Sequence, residues 1–427
     1  MTRIVSEHVD SGLEAVSLER LAAGNSQEIW AVTARDARGG ERSLILRRSA
    51  AAGVLSWTDR KHEYRVLHAL EGCGLPVPLA YGSGELERPY VLMERRPGKA
   101  PSRSADEVDA RALGRELGEM LARLHALSPL ALGFNASQTT RDYTLAAVRF
   151  WRERYLGGRP CPVPLLGALI AWAERNVPDD GVPPALLWGD PGPHNCLVED
   201  GAISGLLDWE LAHVGHPLED LGAAVWACLG VLNPTELVAA YETRSGPIDR
   251  VTLDYFVVFA NVTRSVMLLD GVAAWIDGRI TQPSTAGLGL ELLAVNLARG
   301  AEAAGWGTLP PPDGRPPEFP LRPDVSESAA GVARWLLSDL VPAIDERPRL
   351  RRMVKAAAAL LEVAACRVPS VPARALDAAE EEAVASELAG GDASLRTALL
   401  TDLSRELARL TPLTVLHGHP LLATAGA

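Results

Sequence analysis

Apolar and polar positions alternate in short runs through the first hundred residues. Segments 16–21 and 28–33 read as strands on either side of residues 22–27. A turn at Gly39-Gly40 leads into a third strand at 44–48. The period then lengthens to three and four. Val66, Leu67 and Leu70 mark a helix with Thr58 or Asp59 as its cap and Gly72 or Gly74 as its stop. Residues 90–93 form a further short apolar strand. From 104 to 127 the helical period returns in Val108, Leu113, Leu117, Met120, Leu121 and Leu124, and 142–155 and 164–176 are two more helices. Short apolar runs at 196–198 and 203–207 flank Glu199, Asp200 and Gly201, and an Asp-Gly pair there predicts a hairpin. Apolar helix-length segments follow at 217–231, 234–242, 251–276 and 287–299. Residues 309–323 are nearly half proline and predict a semi-rigid spacer. Beyond it, 325–340, 350–366, 375–388 and 394–410 suggest a bundle of about four helices.

Composition narrows the classes. The 427 residues allow two or three domains, and 47% hydrophobic with 22% charged residues are globular values. A formal net charge of -12 repels phosphate backbones and argues against nucleic acid as a general partner. The first ten residues carry charges where a signal peptide needs an apolar core, and the apolar run 221–232 is too short for a bilayer, so no membrane association is expected. The five cysteines are scattered without metal-ligand spacing, which fits a reducing cytoplasm.

The chemistry concentrates between residues 186 and 221. Asp190 precedes Asn195 by five positions, and the predicted hairpin would bring Asn195 at its start beside Asp208 at its end. A carboxylate to orient a hydroxyl, with an amide oxygen and a second carboxylate to hold magnesium, is the set that phosphoryl transfer uses. Taken singly, each of the three is an ordinary turn residue. Their order, spacing and intervening hairpin favour the catalytic reading.

This segment resembles the core of the aminoglycoside phosphotransferase and choline kinase group, whose loop runs His-Gly-Asp, four residues, Asn, followed by a triplet such as Asp208-Trp209-Glu210 here. The resemblance spans roughly residues 10–300 and implies an α+β, protein-kinase-like bilobal fold, followed by a small all-α domain. It divides the chain into an N-lobe at 1–97, a C-lobe at 98–308, a linker at 309–323 and a helical domain at 324–427. It implies ATP and Mg2+, with Asp190 as the catalytic carboxylate, Asn195 and Asp208 as metal ligands, and Asp220 bracing the loop. On the nucleotide side it implies Ser26 in a loop over the phosphates, Arg47 in place of the usual third-strand lysine, Glu63 as the partner of Arg47, and Met93 in a hinge that reads adenine through main-chain groups. Glu63 shares the apolar face of its helix, where a buried carboxylate needs a cation. Two positions depart from the family: Trp188 stands for a histidine whose hydrogen bonds must be made differently or lost, and His216 replaces a customary Asp.

His125 reads as a hydrogen-bonded core residue with no acid or base partner indicated, and Trp151, Arg152, Asp270 and Trp275 are candidates to line an acceptor pocket. The expected activity is phosphate transfer from ATP to a hydroxyl of a small molecule. The Asp-Trp-Glu triplet and Arg47 look most like the branch associated with acyl-CoA dehydrogenases, which implies a hydroxyacyl-CoA acceptor. An antibiotic acceptor and a catalytically weak nucleotide-binding scaffold are the alternatives. The expected partners are the small-molecule acceptor and, through the C-terminal bundle, a second copy or an acyl-CoA-pathway protein.

Overall fold

The structure, a computed structural model, describes residues 1–21, 27–50, 55, 57–101, 109–158, 163–228, 231–279, 283–308, 383, 386 and 393–410. Ser26, the 309–323 linker and most of the C-terminal bundle lie outside the described residues. The chain divides into two compact units, Met1–Leu145 with Pro178–Val257, and Ala146–Val177 with Val258–Ala427. The expected boundary after residue 97 therefore falls inside the first unit. The physical reason is local: Lys99 exchanges both backbone hydrogen bonds with Val198, and the Arg96 guanidinium donates to the Ser204 carbonyl, so the segment after residue 94 is tied to the catalytic hairpin.

The first unit opens with helix α1 (Thr2–His8) and an antiparallel sheet of strands β1 (Glu14–Leu21), β2 (Gln27–Arg35), β3 (Glu41–Ser49), β4 (Ala80–Leu86) and β5 (Arg88–Glu94), ordered β1-β2-β3-β5-β4. The period-two pattern decides its faces. Val32 and Ala34, Leu44 and Leu46, and Tyr90 and Leu92 point to one side, where Ile4 and Val5 of α1 complete a core. Helix α2 (Arg60–Ala69) follows β3. Asp59 caps it by accepting from the Lys61 amide at 2.9 Å, and its buried face presents Arg60, Glu63, Val66 and Leu67. Two charged residues on an apolar stripe require partners, and Arg60 reaches both Glu63 and Glu210.

Helices α3 (Ala110–His125), α4 (Thr140–Gly158) and α5 (Pro164–Arg175) come next in the chain, then the short strand β6 (Ala185–Leu187), the hairpin of β7 (Cys196–Glu199) and β8 (Ala202–Leu206), and β9 (His213–Gly215), which pairs with β6. Helices α6 (Pro217–Ala227) and α7 (Pro234–Ser245) complete the first unit's own elements. Close packing of α3 on α7 depends on two glycines four residues apart. A Cβ on Gly114 would lie 2.6 Å from the Asn233 carbonyl oxygen, and one on Gly118 would strike the Leu237 carbonyl.

The second unit holds the later parts of α4 and α8 (Arg250–Ile276), together with α5, α9 (Pro283–Ala303) and α10 (Ala393–Leu410), the last matching the predicted helix at 394–410. Its charges are internally paired: Arg154 donates to Asp270 at 2.6 Å and Arg152 lies 3.8 Å from Glu174. Two of the expected acceptor-pocket residues, Asp270 and Arg152, are thus engaged in ion pairs. The longest apolar element is not 221–232. Among the described residues one helix, α8, is long and apolar enough to cross a membrane, with a mean hydropathy of 1.5 over the relevant window, and 78% of that window is buried inside the protein, as in a core helix.

Two measurements test these packing arguments. Gly118→Ala ordinarily gains about 1 kcal/mol of helix propensity, yet here it is expected to lower stability by about 1–3 kcal/mol. Gly157→Ala in α4, where an added Cβ meets nothing within 4 Å, serves as the stabilising control in the same thermal melts. Arg60→Met leaves two buried carboxylates without their shared cation and is expected to cost about 3–5 kcal/mol in chemical denaturation; a loss below about 1 kcal/mol would mean the ion pairs do not hold α2.

Candidate active site

The hairpin forms as its sequence predicts. Asp200 (φ 50°) and Gly201 (φ 81°) both take the left-handed conformation that a tight two-residue hairpin turn requires. At the open end, the Leu207 amide donates to the Asn195 carbonyl at 2.8 Å, so Asn195 and Asp208 sit side by side. Asp208 itself is left-handed (φ 63°, ψ 58°), an uncommon conformation for a residue with a Cβ, and it turns the chain from β8 into the short 3-10 turn Trp209–Leu211.

Asp190 lies five residues before Asn195, and the two side chains are joined. Asn195 Nδ2 donates to Asp190 Oδ2 at 2.9 Å and to the Asp190 carbonyl at 3.0 Å, while His194 Nε2 lies 3.2 Å from the same carboxylate oxygen. Because both Asn195 partners are acceptors, the amide must present its nitrogen to them, and its oxygen points elsewhere.

Asp220, fully buried in the first turn of α6, accepts from the amides of Trp188 at 2.6 Å and Gly189 at 2.9 Å. These bonds set the entry to the catalytic loop, the bracing arrangement expected for Asp220. His125 has the acid partner that its sequence context did not indicate: Nε2 lies 3.2 Å from Asp220 Oδ2, and Nδ1 is 2.9 Å from the Tyr241 hydroxyl. Burial, with Asp220 nearby, pushes the Tyr241 phenol up, so it stays neutral and suits a hydrogen-bonding role.

The two departures from the family pattern are accommodated. The Trp188 indole donates to the Leu207 carbonyl at 2.8 Å, immediately before Asp208, and stacks on Trp209 with centroids 5.4 Å apart. The link between the loop after β6 and the residue before Asp208 is therefore made by an indole. His216 caps α6, its Nδ1 accepting from the Leu218 amide at 3.1 Å, and its Nε2 lies 3.0 Å from Asp180. Burial lowers its pKa against the pull of Asp180, which keeps Nδ1 available as an acceptor.

Arg47 and Glu63 meet as expected, in an ion pair with both side chains buried. The fork of the guanidinium does more, since its other arm donates to Asp208 Oδ1 at 2.6 Å. Burial works against the charge on Arg47, but Asp208, Glu63 and Glu210 together raise its pKa above the ordinary value. Glu63 gives its second oxygen to Arg60, and Arg60 reaches Glu210. Gln27 Nε2 donates to the same Glu210 oxygen at 2.7 Å, with the Thr58 hydroxyl 2.8 Å from it. Burial and the neighbouring Asp208 raise the Glu210 pKa, opposed by the two arginines.

The sequence points to no site role for Arg60, Glu210 or Gln27, and to Thr58 only as a candidate helix cap. The available signal was Arg60 at i-3 from Glu63 on the same buried stripe, and Glu210 inside the triplet already singled out. Gln27 was read as loop, whereas β2 begins with it. Cys196, also in this segment, is pushed up to about 12 by burial and stays a thiol.

The residues present fit a hard divalent cation. The Asn195 amide oxygen is turned away from its bonded carboxylate and Asp208 gives only Oδ1 to Arg47, so a neutral and an anionic oxygen donor are on offer at the start and the end of the hairpin. Among the described residues no cluster of three His, Cys, Asp or Glu that could hold a metal ion is present. Met93 differs from its expected role. It lies opposite Ile45 on one side and Ala80 on the other, and the next amides, of Glu94 and Arg95, donate to Leu79 and Ser43. Its backbone belongs to the sheet ladder, and main-chain groups clear of the ladder begin beyond Arg95.

Comparison with known proteins agrees with this geometry. The profile of the phosphotransferase enzyme family matches residues 17–256. Acyl-CoA dehydrogenase family member 10 of Mus musculus is 28% identical over 209 residues, covering 46% of this chain and 19% of that protein. Family member 11 of Rattus norvegicus is 29% identical over 199 residues, covering 43% and 25%. The chain thus spans a quarter or less of these two relatives. Viomycin phosphotransferase of Streptomyces vinaceus is 35% identical over 182 residues, covering 39% of this chain and 61% of that protein. A crystallised Ralstonia eutropha protein assigned to the aminoglycoside phosphotransferases superposes with a TM-score of 0.57 at 20% identity, covering 71% and 97%, a likeness of fold that makes this an α+β, kinase-like chain. With a family match over more than half its length, the chain belongs to the phosphotransferase enzyme family.

Proposed function

We propose that the protein transfers the γ-phosphate of ATP to a hydroxyl of a small molecule with magnesium. The observation that supports this reading is the hydrogen bond joining Asn195 to Asp190, with Asn195 and Asp208 at the two ends of one hairpin and Arg47 joined to Asp208 by one arm of its guanidinium. Asp190 orients the acceptor hydroxyl and receives its proton as the oxygen bonds to the γ-phosphorus. The bond from phosphorus to the bridging oxygen breaks with its electron pair left on ADP. Asn195 and Asp208 would hold magnesium, whose part is to neutralise charge on the phosphate oxygens. Arg47, steadied by Glu63, would hold the phosphates, with Ser26 as a further phosphate contact, and main chain past Met93 would read the adenine.

For the acceptor we favour a hydroxyacyl-CoA, on the similarity to the two acyl-CoA dehydrogenase family members. An antibiotic hydroxyl is the second reading, favoured by the higher identity to viomycin phosphotransferase. The same reading places the enzyme in the cytoplasm, with residues 324–427 mediating contact with a second copy or an acyl-CoA-pathway protein. A scaffold without turnover has no need of the complete proton and metal set.

The test is turnover of Mg·ATP against hydroxyacyl-CoAs of several chain lengths and viomycin, followed by ADP release and by mass of the product. Asp190→Asn is expected to lower kcat by about 10²–10⁴-fold with nucleotide binding retained. No transfer by wild type to any acceptor while ATP still binds would put the scaffold reading ahead. Asp208→Ala is expected to weaken Mn2+ binding, followed by electron paramagnetic resonance in the presence of ADP, by at least about tenfold. Unchanged affinity would place the cation elsewhere.

A further inference from the structure

We propose that His194 is a positioning residue for Asp190, holding its carboxylate in the rotation that phosphoryl transfer requires; this deepens the reading of Asp190 as the proton acceptor and rests on it. A carboxylate turns readily about its last torsion, because that well is broad and two-fold. A group that must meet a hydroxyl within tenths of an ångström therefore needs outside restraint. Asp190 Oδ2 receives two such restraints, Asn195 Nδ2 at 2.9 Å and His194 Nε2 at 3.2 Å. Their chemistry differs. Asn195 offers its other end to the cation site, so its orientation answers to two demands at once. His194 adds a second donor to the same oxygen, outside the Asn195 and Asp208 pair.

The local chain is shaped to put the imidazole there. Pro193 opens the short 3-10 turn Pro193–Asn195 with its fixed φ, and His194 sits four residues after Asp190. Gly192 leaves the ring room, since a Cβ at that position would lie 2.7 Å from Cε1 and 2.8 Å from Nδ1 of His194. Facing a carboxylate, Nε2 is the nitrogen that carries the proton and donates, as the Nε2–H tautomer does. The His194 side chain is 48% exposed.

The experiment compares His194→Ala and His194→Gln in the full chain. A glutamine amide can place a donor close to where Nε2 stands, and an alanine cannot. The probes are Mg·ATP with water as acceptor, read as phosphate release, and Mg·ATP with the fastest acceptor of the panel above. His194→Ala is expected to lower kcat about tenfold, the worth of one hydrogen bond to a charged group, with KM for ATP and Tm little changed. His194→Gln is expected to recover most of the rate. An unchanged kcat in His194→Ala, a glutamine variant as slow as the alanine variant, or an effect confined to KM for ATP would each overturn the proposal. Asp190→Asn in parallel separates the two readings: a fully active Asp190→Asn removes the catalytic assignment itself, whereas an inactive Asp190→Asn beside a fully active His194→Ala removes only the role of the histidine.

Discussion

Five charged side chains alternate in sign around the base of the site: Asp208, Arg47, Glu63, Arg60 and Glu210, with the first and last only two residues apart in the chain. This closed run of ion pairs is the constraint on which the site's nucleotide side depends. It joins β3 and α2, consecutive in the chain, to the turn after β8, some 150 residues away. Each buried charge would be costly alone, and the arrangement is tolerable because every member has an opposite charge at hydrogen-bond range. A lysine at position 47 would offer a point charge, whereas the planar fork of Arg47 serves a carboxylate on either side at once. The run also ends with one more negative charge than positive. Its excess lies at Asp208 and Glu210, where a divalent cation is favoured by simple Coulomb attraction.

The catalytic loop is governed by a second buried carboxylate. Asp220 captures the amides of Trp188 and Gly189, and His125 with Tyr241 satisfies it from behind. Trp188 then carries the restraint forward, because its indole ties the loop to the carbonyl next to Asp208. This link is made by an indole, which adds a stacked aromatic pair with Trp209 to its hydrogen bond. His216, the other departure, acts at the N-terminus of α6, where it caps a free amide and so supports the turn that holds Asp220. Both substitutions act on positioning and leave the proton and metal set intact.

Much of the site was legible in the chain because its signals are short-range. The Asp200-Gly201 turn, the period-two strands on either side of it and the position of Asn195 and Asp208 at its ends are consequences of local conformational preference. The same holds for Glu63 on the apolar face of α2, which announces a buried partner by its spacing alone. Arg60 and Glu210 were not legible in this way. Their roles follow from the approach of α2 to the turn after β8, a contact across 150 residues of chain that no periodicity encodes. His125 is similar: its helix was plain from the pattern, but its acid partner lies 95 residues away.

By itself the sequence determined strands β1, β2, β3 and β5, most of the helices from α2 to α9, the hairpin with Asn195 and Asp208 at its ends, and the ordered carboxylate, amide and carboxylate set, since these depend on residue type and spacing, whereas α1, β4, β6 and β9 emerged only in the folded chain. Tertiary structure decided which charges close the run around Glu63, that an indole replaces the imidazole behind the loop, and that Met93 is committed to the sheet while the segment after residue 94 is bonded to the catalytic hairpin. The division has one physical cause. Backbone preference acts over a few residues, whereas a buried charge is settled only by whichever opposite charge the fold brings within reach.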